Sequence, residues 1–397
     1  MLARYFPTKL QPARRSSIAA VDIYVLRIPF HQAFAHARMD RDASDAVVVR
    51  VSGVDGRYGY GEGLPRPYVT GEDVEGVVQA LRKDLAPLVM GRSFASGRNI
   101  LRELQHLSQV WNSAQHAENV TAWNATFSAM ELALLDWSFG RSGNSVTEWL
   151  LPARQEVVYT GVIEATDPDA AAALASRYVA ANFGLLKVKV GVGDDERRLA
   201  AVRKAAGKVG LRVDANGAWT ADDAVSMLRR FEEFSIDAVE QPVAASDIDG
   251  MRFVRQETGL RVVADESLVT LEDAKRLIDA TACDIFNVRV SKCGGLLNSL
   301  AVADLALAAG LEVQIGAQVG ETSLLSAAGR HLAAHLPTVS YVEGSFGTHL
   351  LTEDITTEPV MFGPGGRAYG IVGDGLGVTV DLPTLERLAI EHVRVEA

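Results

Sequence analysis

Apolar and polar residues change their rhythm near residue 150. Before it, residues 21–29 and 45–51 are β-branched runs followed by turns at Gly53 and Gly56, the pattern of strands with tight connections. Residues 73–90 and 96–109 carry apolar side chains at i, i+3 and i+4, and 122–139 is a longer stretch rich in Ala, Leu and Met. All three read as helices. Residues 19–150 are therefore expected to form a small α+β unit.

After Leu151, short apolar runs alternate with amphipathic stretches. The runs are 157–163, 185–190, 211–216, 236–241, 260–267, 285–292, 312–318 and 339–345, with helical periodicity at 195–206, 221–234 and 271–280 among the segments between them. Alternating β and α elements imply parallel strands, and eight of them imply a closed (β/α)8 barrel of the TIM type over 151–349. An open doubly wound sheet is the runner-up. Its dinucleotide-binding form needs Gly-x-Gly-x-x-Gly after an early strand, and none is found. Residues 350–397 contain no further βα pair and are expected to return to the first unit.

A length of 397 residues allows two or three domains and a large core. With 39 Lys and Arg against 50 Asp and Glu, the net charge is −11, which disfavours nucleic acid or an anionic membrane as partner. No apolar run approaches the ~18–20 residues of a membrane span. Cys283 and Cys293 are too few for a disulfide scaffold and suit a reducing, cytoplasmic setting. Residues 1–18 hold Arg4, Lys9, Arg14 and Arg15, no acid and no apolar signal core, and read as a disordered leader. The expected partners are a small carboxylate substrate and further copies of the chain.

The middle strands share one feature: each ends in a charge. These are Lys189, Asp214, Glu240, Asp265 and Lys292, spaced 25, 26, 25 and 27 residues apart. In a barrel, C-terminal strand ends surround one mouth, where active sites are built. Asp214, Glu240 and Asp265 would converge from neighbouring strands, and such carboxylates repel unless a cation sits among them. An all-oxygen set suits Mg2+ or Mn2+. Lys189 and Lys292 would face each other across the mouth, with Lys187 on the same side as Lys189. This set fits abstraction of a proton next to a carboxylate: the metal would neutralise the developing enediolate and a lysine would act as base. Lys187 would lower the pKa of Lys189 and steady the substrate carboxylate. Asn216 and Glu266 would support the ligands from behind. A Schiff-base aldolase and a metal-bearing binding protein are the alternatives of other classes.

Lys187-Val188-Lys189, Asp214-Ala215-Asn216, Glu240-Gln241-Pro242, Asp265-Glu266-Ser267 and Lys292-Cys293-Gly294-Gly295 together resemble the signature of the enolase superfamily, muconate-lactonizing subgroup. The resemblance covers nearly the whole chain. It implies that residues 19–150 are a capping domain, completed by 350–397. Phe346-Gly347 and the 350–359 stretch resemble muconate cycloisomerases, whereas Arg66-Pro67-Tyr68-Val69-Thr70-Gly71-Glu72 resembles dipeptide epimerases and N-acylamino-acid racemases. The eighth strand ends Glu343-Gly344-Ser345 and lacks the Asp-x-Asp with which dipeptide epimerases hold an ammonium. A muconate cycloisomerase is thus the leading expectation. The alternatives are a racemase or epimerase of N-acyl amino acids or dipeptides, or an o-succinylbenzoate synthase-like dehydratase. Candidate substrate contacts are Arg38, Arg66 and Tyr68 in the cap loops at 31–41 and 64–72, with Gln318 and Glu343 at the seventh and eighth strand ends. A distal carboxylate would suit the arginines.

Overall fold

The computed structural model describes residues 14–34, 41–114 and 120–396. The cap is built on an antiparallel sheet of β1 (Arg15–Phe34), β2 (Arg41–Gly53) and β3 (Tyr58–Gly63). β1 enters the sheet at Arg15, so residues 15–18 are strand, not leader, with Ser16 and Ile18 buried.

Helix α1 (Asn124–Gly140) lies directly on β3, and the sequence explains the close approach. Gly59, Gly61 and Gly63 alternate along the strand and so share one face. A Cβ added to them would stand 2.2 Å from Trp137 N, 2.2 Å from Ala129 O and 2.1 Å from Ala125 O. The period of two in the strand thus meets a period of four in the helix. Glu62, between two of these glycines, projects from the other face.

Eight parallel strands form the second sheet: β4 (Gly161–Ile163), β5 (Leu185–Lys189), β6 (Gly210–Asp214), β7 (Ala238–Glu240), β8 (Arg261–Ala264), β9 (Ile285–Val288), β10 (Glu312–Ile315) and β11 (Tyr341–Val342). They pair in sequence order, and Thr160 N–H donates to the Val342 carbonyl at 2.8 Å, joining the last strand to the start of the first. Seven of the eight expected runs contain one of these strands, and the run at 211–216 overlaps Gly210–Asp214. The run at 157–163 is a correction. Its first part, Glu156–Val158, pairs with Arg367–Tyr369 in a separate two-stranded sheet, and only Gly161–Ile163 belongs to the barrel.

Helices after the strands begin at side-chain caps. Asp167, Asp194, Thr220, Asp247 and Thr270 each accept a backbone N–H from the first turn of their helix. Such a cap typically contributes about 1 kcal/mol. The chain then returns to the cap, where β12 (Ala389–Glu396) lies antiparallel to β1. One apolar cluster runs continuously from Val21 and Leu132 in the cap to Val188 and Phe286 in the barrel. Among the described residues, no helix is long and apolar enough to cross a membrane.

Candidate active site

The strand ends bring the expected charges together. Lys189 Nζ donates to Asp214 Oδ2 at 2.7 Å and to Asn216 Oδ1 at 2.8 Å. Lys187 Nζ, one pleat deeper, lies 3.1 Å from Asp214 Oδ2, 3.4 Å from Glu240 Oε2 and 2.7 Å from Glu343 Oε2. Asp265 follows the last residue of β8, where Oδ1 accepts from Lys292 Nζ at 2.8 Å and Oδ2 is paired with Arg289. Asp214, Glu240 and Asp265 have no solvent-accessible surface.

Lys292 arrives differently from the expectation. β9 stops at Val288, and Lys292 lies on a single helical turn, α2 (Val290–Cys293). Its Nζ turns back to the carbonyl oxygens of Asn287 at 2.8 Å and Asp265 at 2.7 Å. Burial pushes Lys292 down to about 8, and the positive charge of Arg289 acts in the same direction. Burial and Glu240 push Asp214 up, but Lys189 and Lys187 outweigh them and hold it below the usual carboxylate range. For Glu240, Lys187, Arg212, Arg289 and Lys189 overcome burial by a wide margin.

A polar layer beneath the mouth escaped the sequence reading. Arg212 is fully buried, donates to Glu240 Oε2 at 2.6 Å and pairs with Glu343. Asn287 Nδ2 donates to Glu240 Oε1 at 2.9 Å and Gln314 Nε2 to Glu240 Oε2 at 3.2 Å. One signal was available: Arg212 precedes Asp214 by two residues, as Lys187 precedes Lys189, so both point inward. Gln241 was also missed. Its Oε1 accepts from Asp265 N at 3.0 Å and Ser267 N at 3.2 Å, tying the fourth strand end to the fifth. Gln241 and Asn216 have φ of +39° and +47°, left-handed backbone that marks constrained positions beside Glu240 and Asp214. Glu164, at the first strand end, is pushed up by burial, with Lys189 acting against it.

The expected substrate contacts fare unevenly. Arg38 lies outside the described residues. Arg66 is buried, and its guanidinium donates to the carbonyls of Asp45, Pro65 and Val319 at 3.2, 2.8 and 2.7 Å. It fastens the cap loop to the seventh strand end, so its fork is committed to backbone oxygens. Tyr68 is half-buried in the adjoining turn. Gln318 is buried, and its side-chain amide atoms have no hydrogen-bond partner among the described residues. Glu343 has its carboxylate held by Lys187 and Arg212 inside the barrel, where two buried cations need a counter-ion.

The fit to a divalent cation rests on the donor set. Among the described residues, no three Asp, Glu, His or Cys side chains stand as a ready-made cage. Lys187 lies between Asp214 and Glu240, and Arg289 between Glu240 and Asp265. Glu266, expected to support the ligands from behind, is buried beside Asp265, and both residues lie past the end of β8. Its Oε1 accepts from Asn216 Nδ2 at 3.0 Å, whereas Oε2 is buried without a hydrogen-bond partner. Burial and the charge of Asp214 push it up. An orphaned carboxylate oxygen beside Asp214 and Glu240 fits a hard cation. Elsewhere, Cys293 is buried with its thiol pushed up by burial, and His331, pushed down to about 4 by burial, bonds the Leu376 carbonyl; both are structural.

The family described as enolase C-terminal domain-like matches residues 170–384. The chain is 29% identical to the N-succinyl-L-Arg/Lys racemase of Bacillus cereus over 94% of this chain and 98% of that protein. The crystal structure of N-succinyl Arg/Lys racemase from that organism has a TM-score of 0.88, covering 96% of this chain and 100% of the other. A dipeptide epimerase from Cytophaga hutchinsonii, solved with Mg and D-Ala-L-Val, has a TM-score of 0.86 at 25% identity, over 96% and 100% of the two chains. The chloromuconate cycloisomerase of Cupriavidus pinatubonensis is 28% identical over 92% of this chain and 96% of that protein.

Proposed function

The chain belongs to the enolase C-terminal domain-like family, and on that premise we propose that it racemises or epimerises the α-carbon of an amino acid whose amino group is acylated. The observation that carries this reading is the pair of lysines at the mouth, one on β5 and one on the turn that follows β9 four strands on, each resting on its own carboxylate: Lys189 on Asp214 and Lys292 on Asp265. A base on each side of one carbon removes a proton from one face and returns a proton to the other, which inverts the centre. A cycloisomerase needs no such symmetry. Relatives described as racemases and epimerases also support this reading above the cycloisomerase that led from sequence.

Asp214, Glu240 and Asp265 would hold Mg2+, with Glu266 beside them. Such an ion, when bound, neutralises charge on the substrate carboxylate. The rest falls to the side chains of this chain. Burial lowers Lys292 to about 8, so a usable fraction is free amine near neutral pH and accepts the α-proton at Nζ. The ammonium of Lys189, held by Asp214 and Asn216, delivers a proton to the other face. In the reverse direction the roles exchange. Glu240 has two hydrogen-bonded oxygens and stays ionised, which keeps the local charge fixed through the cycle.

The eighth strand separates the substrate classes. Its acid, Glu343, is consumed by Lys187 and Arg212, so it is not free to hold an ammonium. A blocked amino group therefore fits better than the free terminus of a dipeptide. The test is turnover of N-succinyl amino acids against free dipeptides in the presence of Mg2+, followed by loss of optical rotation. Loss only with dipeptides would overturn the substrate class. Turnover of a muconate alone would restore the cycloisomerase.

A further inference from the structure

The two lysines are held in different ways. Lys189 sits on β5, inside a continuous parallel ladder in register with Asp214. Lys292 sits on an isolated turn: barrel oxygens of Asp265 and Asn287 hold its Nζ, while groups from the cap hold the backbone carbonyl of Lys292 and the neighbouring Ser291 side chain. Asn124, the first residue of α1, is buried and donates through Nδ2 to the Lys292 carbonyl at 2.6 Å and to the Val269 carbonyl at 2.9 Å. Glu131 lies two helical turns further along the same face. Its carboxylate accepts from Leu296 N at 2.5 Å and Leu297 N at 3.2 Å. These are the first N–H groups of α3 (Leu296–Ala308), a helix whose own cap residue is Gly295 and supplies no side chain. Leu64 N, from the cap loop, donates to Ser291 Oγ at 2.9 Å.

The Gly294-Gly295 pair has its explanation here. Both residues have positive φ, +82° and +94°. A Cβ on Gly294 would stand 2.9 Å from Asn124 Oδ1, and one on Gly295 would stand 1.9 Å from Glu131 Oε2. The glycines make room for the two cap side chains as well as turning the chain.

Resting on the reading of Lys292 as a base, we propose that Asn124 and Glu131 are positioning residues for Lys292, so that the cap helix sets the placement of one base while the barrel alone places the other. Disturbing either contact therefore impairs one face of the reaction and spares the opposite face. A residue that merely stabilised the fold would impair both faces alike.

The experiment measures α-proton exchange in D2O on N-succinyl-L-arginine and N-succinyl-D-arginine separately, with saturating Mg2+. Lys292→Ala and Lys189→Ala identify the enantiomer served by each base. Asn124→Ser and Glu131→Met, which leaves the Leu296 and Leu297 N–H groups without this acceptor, are expected to slow exchange on the enantiomer served by Lys292 by up to roughly 10²-fold, the scale of a small misplacement of a reacting group. Exchange on the other enantiomer and KM should stay close to wild type. Asn124→Ser, which keeps one donor, should be milder than Asn124→Asp, which keeps none. Equal slowing on both enantiomers, or none on either, would overturn the proposal. Should Lys292→Ala spare both enantiomers, or neither compound exchange with the wild type, the base or substrate reading falls instead. Deuterium uptake at the backbone amides of residues 290–297 then decides the positioning claim: faster uptake in the variants upholds it and unchanged uptake overturns it.

Discussion

Lys189 and Lys292 share no carboxylate: Lys189 Nζ rests 2.7 Å from Asp214 Oδ2, and Lys292 Nζ rests 2.8 Å from Asp265 Oδ1. Each base thus has a separate counter-ion, and both counter-ions belong to the set proposed to hold Mg2+. On the proposed reading, metal affinity and base placement would be coupled through Asp214 on one side and Asp265 on the other.

The first prediction follows from this separation. Lys189→Ala and Lys292→Ala should each reduce racemisation by about 10²–10⁴-fold, the usual contribution of a positioned proton transfer. Each should retain α-proton exchange on only one enantiomer. Full exchange on both enantiomers in either variant, read by proton NMR, would contradict the assignment of one lysine to each face.

Glu343 gives the second prediction. It neutralises Lys187 and Arg212 in the barrel interior. Removing one partner from a buried ionic set typically costs about 3–5 kcal/mol. Glu343→Gln should therefore lose stability of that order in urea denaturation, and lose activity because Lys187 shifts. A variant with unchanged stability and only a raised KM would return Glu343 to the substrate contacts.

The third prediction concerns pH. Burial outweighs the two backbone N–H groups on Glu131 and raises it from 4.5 to about 8. Between those values the folded protein holds a proton that the unfolded chain has lost, so stability falls as pH rises. The slope is about 1.4 kcal/mol per pH unit for each such group. Glu321, raised to about 8 by burial, adds to it, as does Glu62 up to about 7. His331, lowered to about 4 from 6.5, works in the opposite sense but only below pH 6.5. Thermal melts of the metal-free protein from pH 6.5 to 8 should show a falling Tm, with a shallower fall in Glu131→Gln. A Tm that rose across this window, or an unchanged slope in the variant, would contradict the assignment.

The five charged strand ends were legible because period and phase are sequence properties: one charge per βα unit, repeated at nearly constant spacing. The helical turn under Lys292 was not. Apolar runs of this kind read the same whether the last residues are extended or coiled, and the deciding contacts come from Asn124, 168 positions away. The role of Glu343 was hidden for a related reason. A strand's alternation tells which side chains face inward but not which partner waits there, and Arg212 sits 131 positions away. The glycines of β3 were visible as an alternating set, yet their meaning depends on α1, which the sequence places nearby only as a separate helix. Specificity was the least legible part, because Arg66 has the chemistry of an anion site and spends it on backbone carbonyls.

Metal-assisted inversion at an α-carbon flanked by two lysines can be read out in a single exchange experiment. N-succinyl-L-arginine is incubated with the protein in D2O, and the α-proton signal and the enantiomer ratio are followed together, first with Mg2+, then after chelation, then with Mg2+ restored. The α-proton signal should disappear while the D-enantiomer accumulates with deuterium at the α-carbon; both changes should stop on chelation with the circular dichroism spectrum unchanged, and both should resume on restoring Mg2+. Exchange and inversion that continued at full rate without metal, or their absence for N-acyl amino acids alongside turnover of a muconate, would contradict metal-assisted inversion.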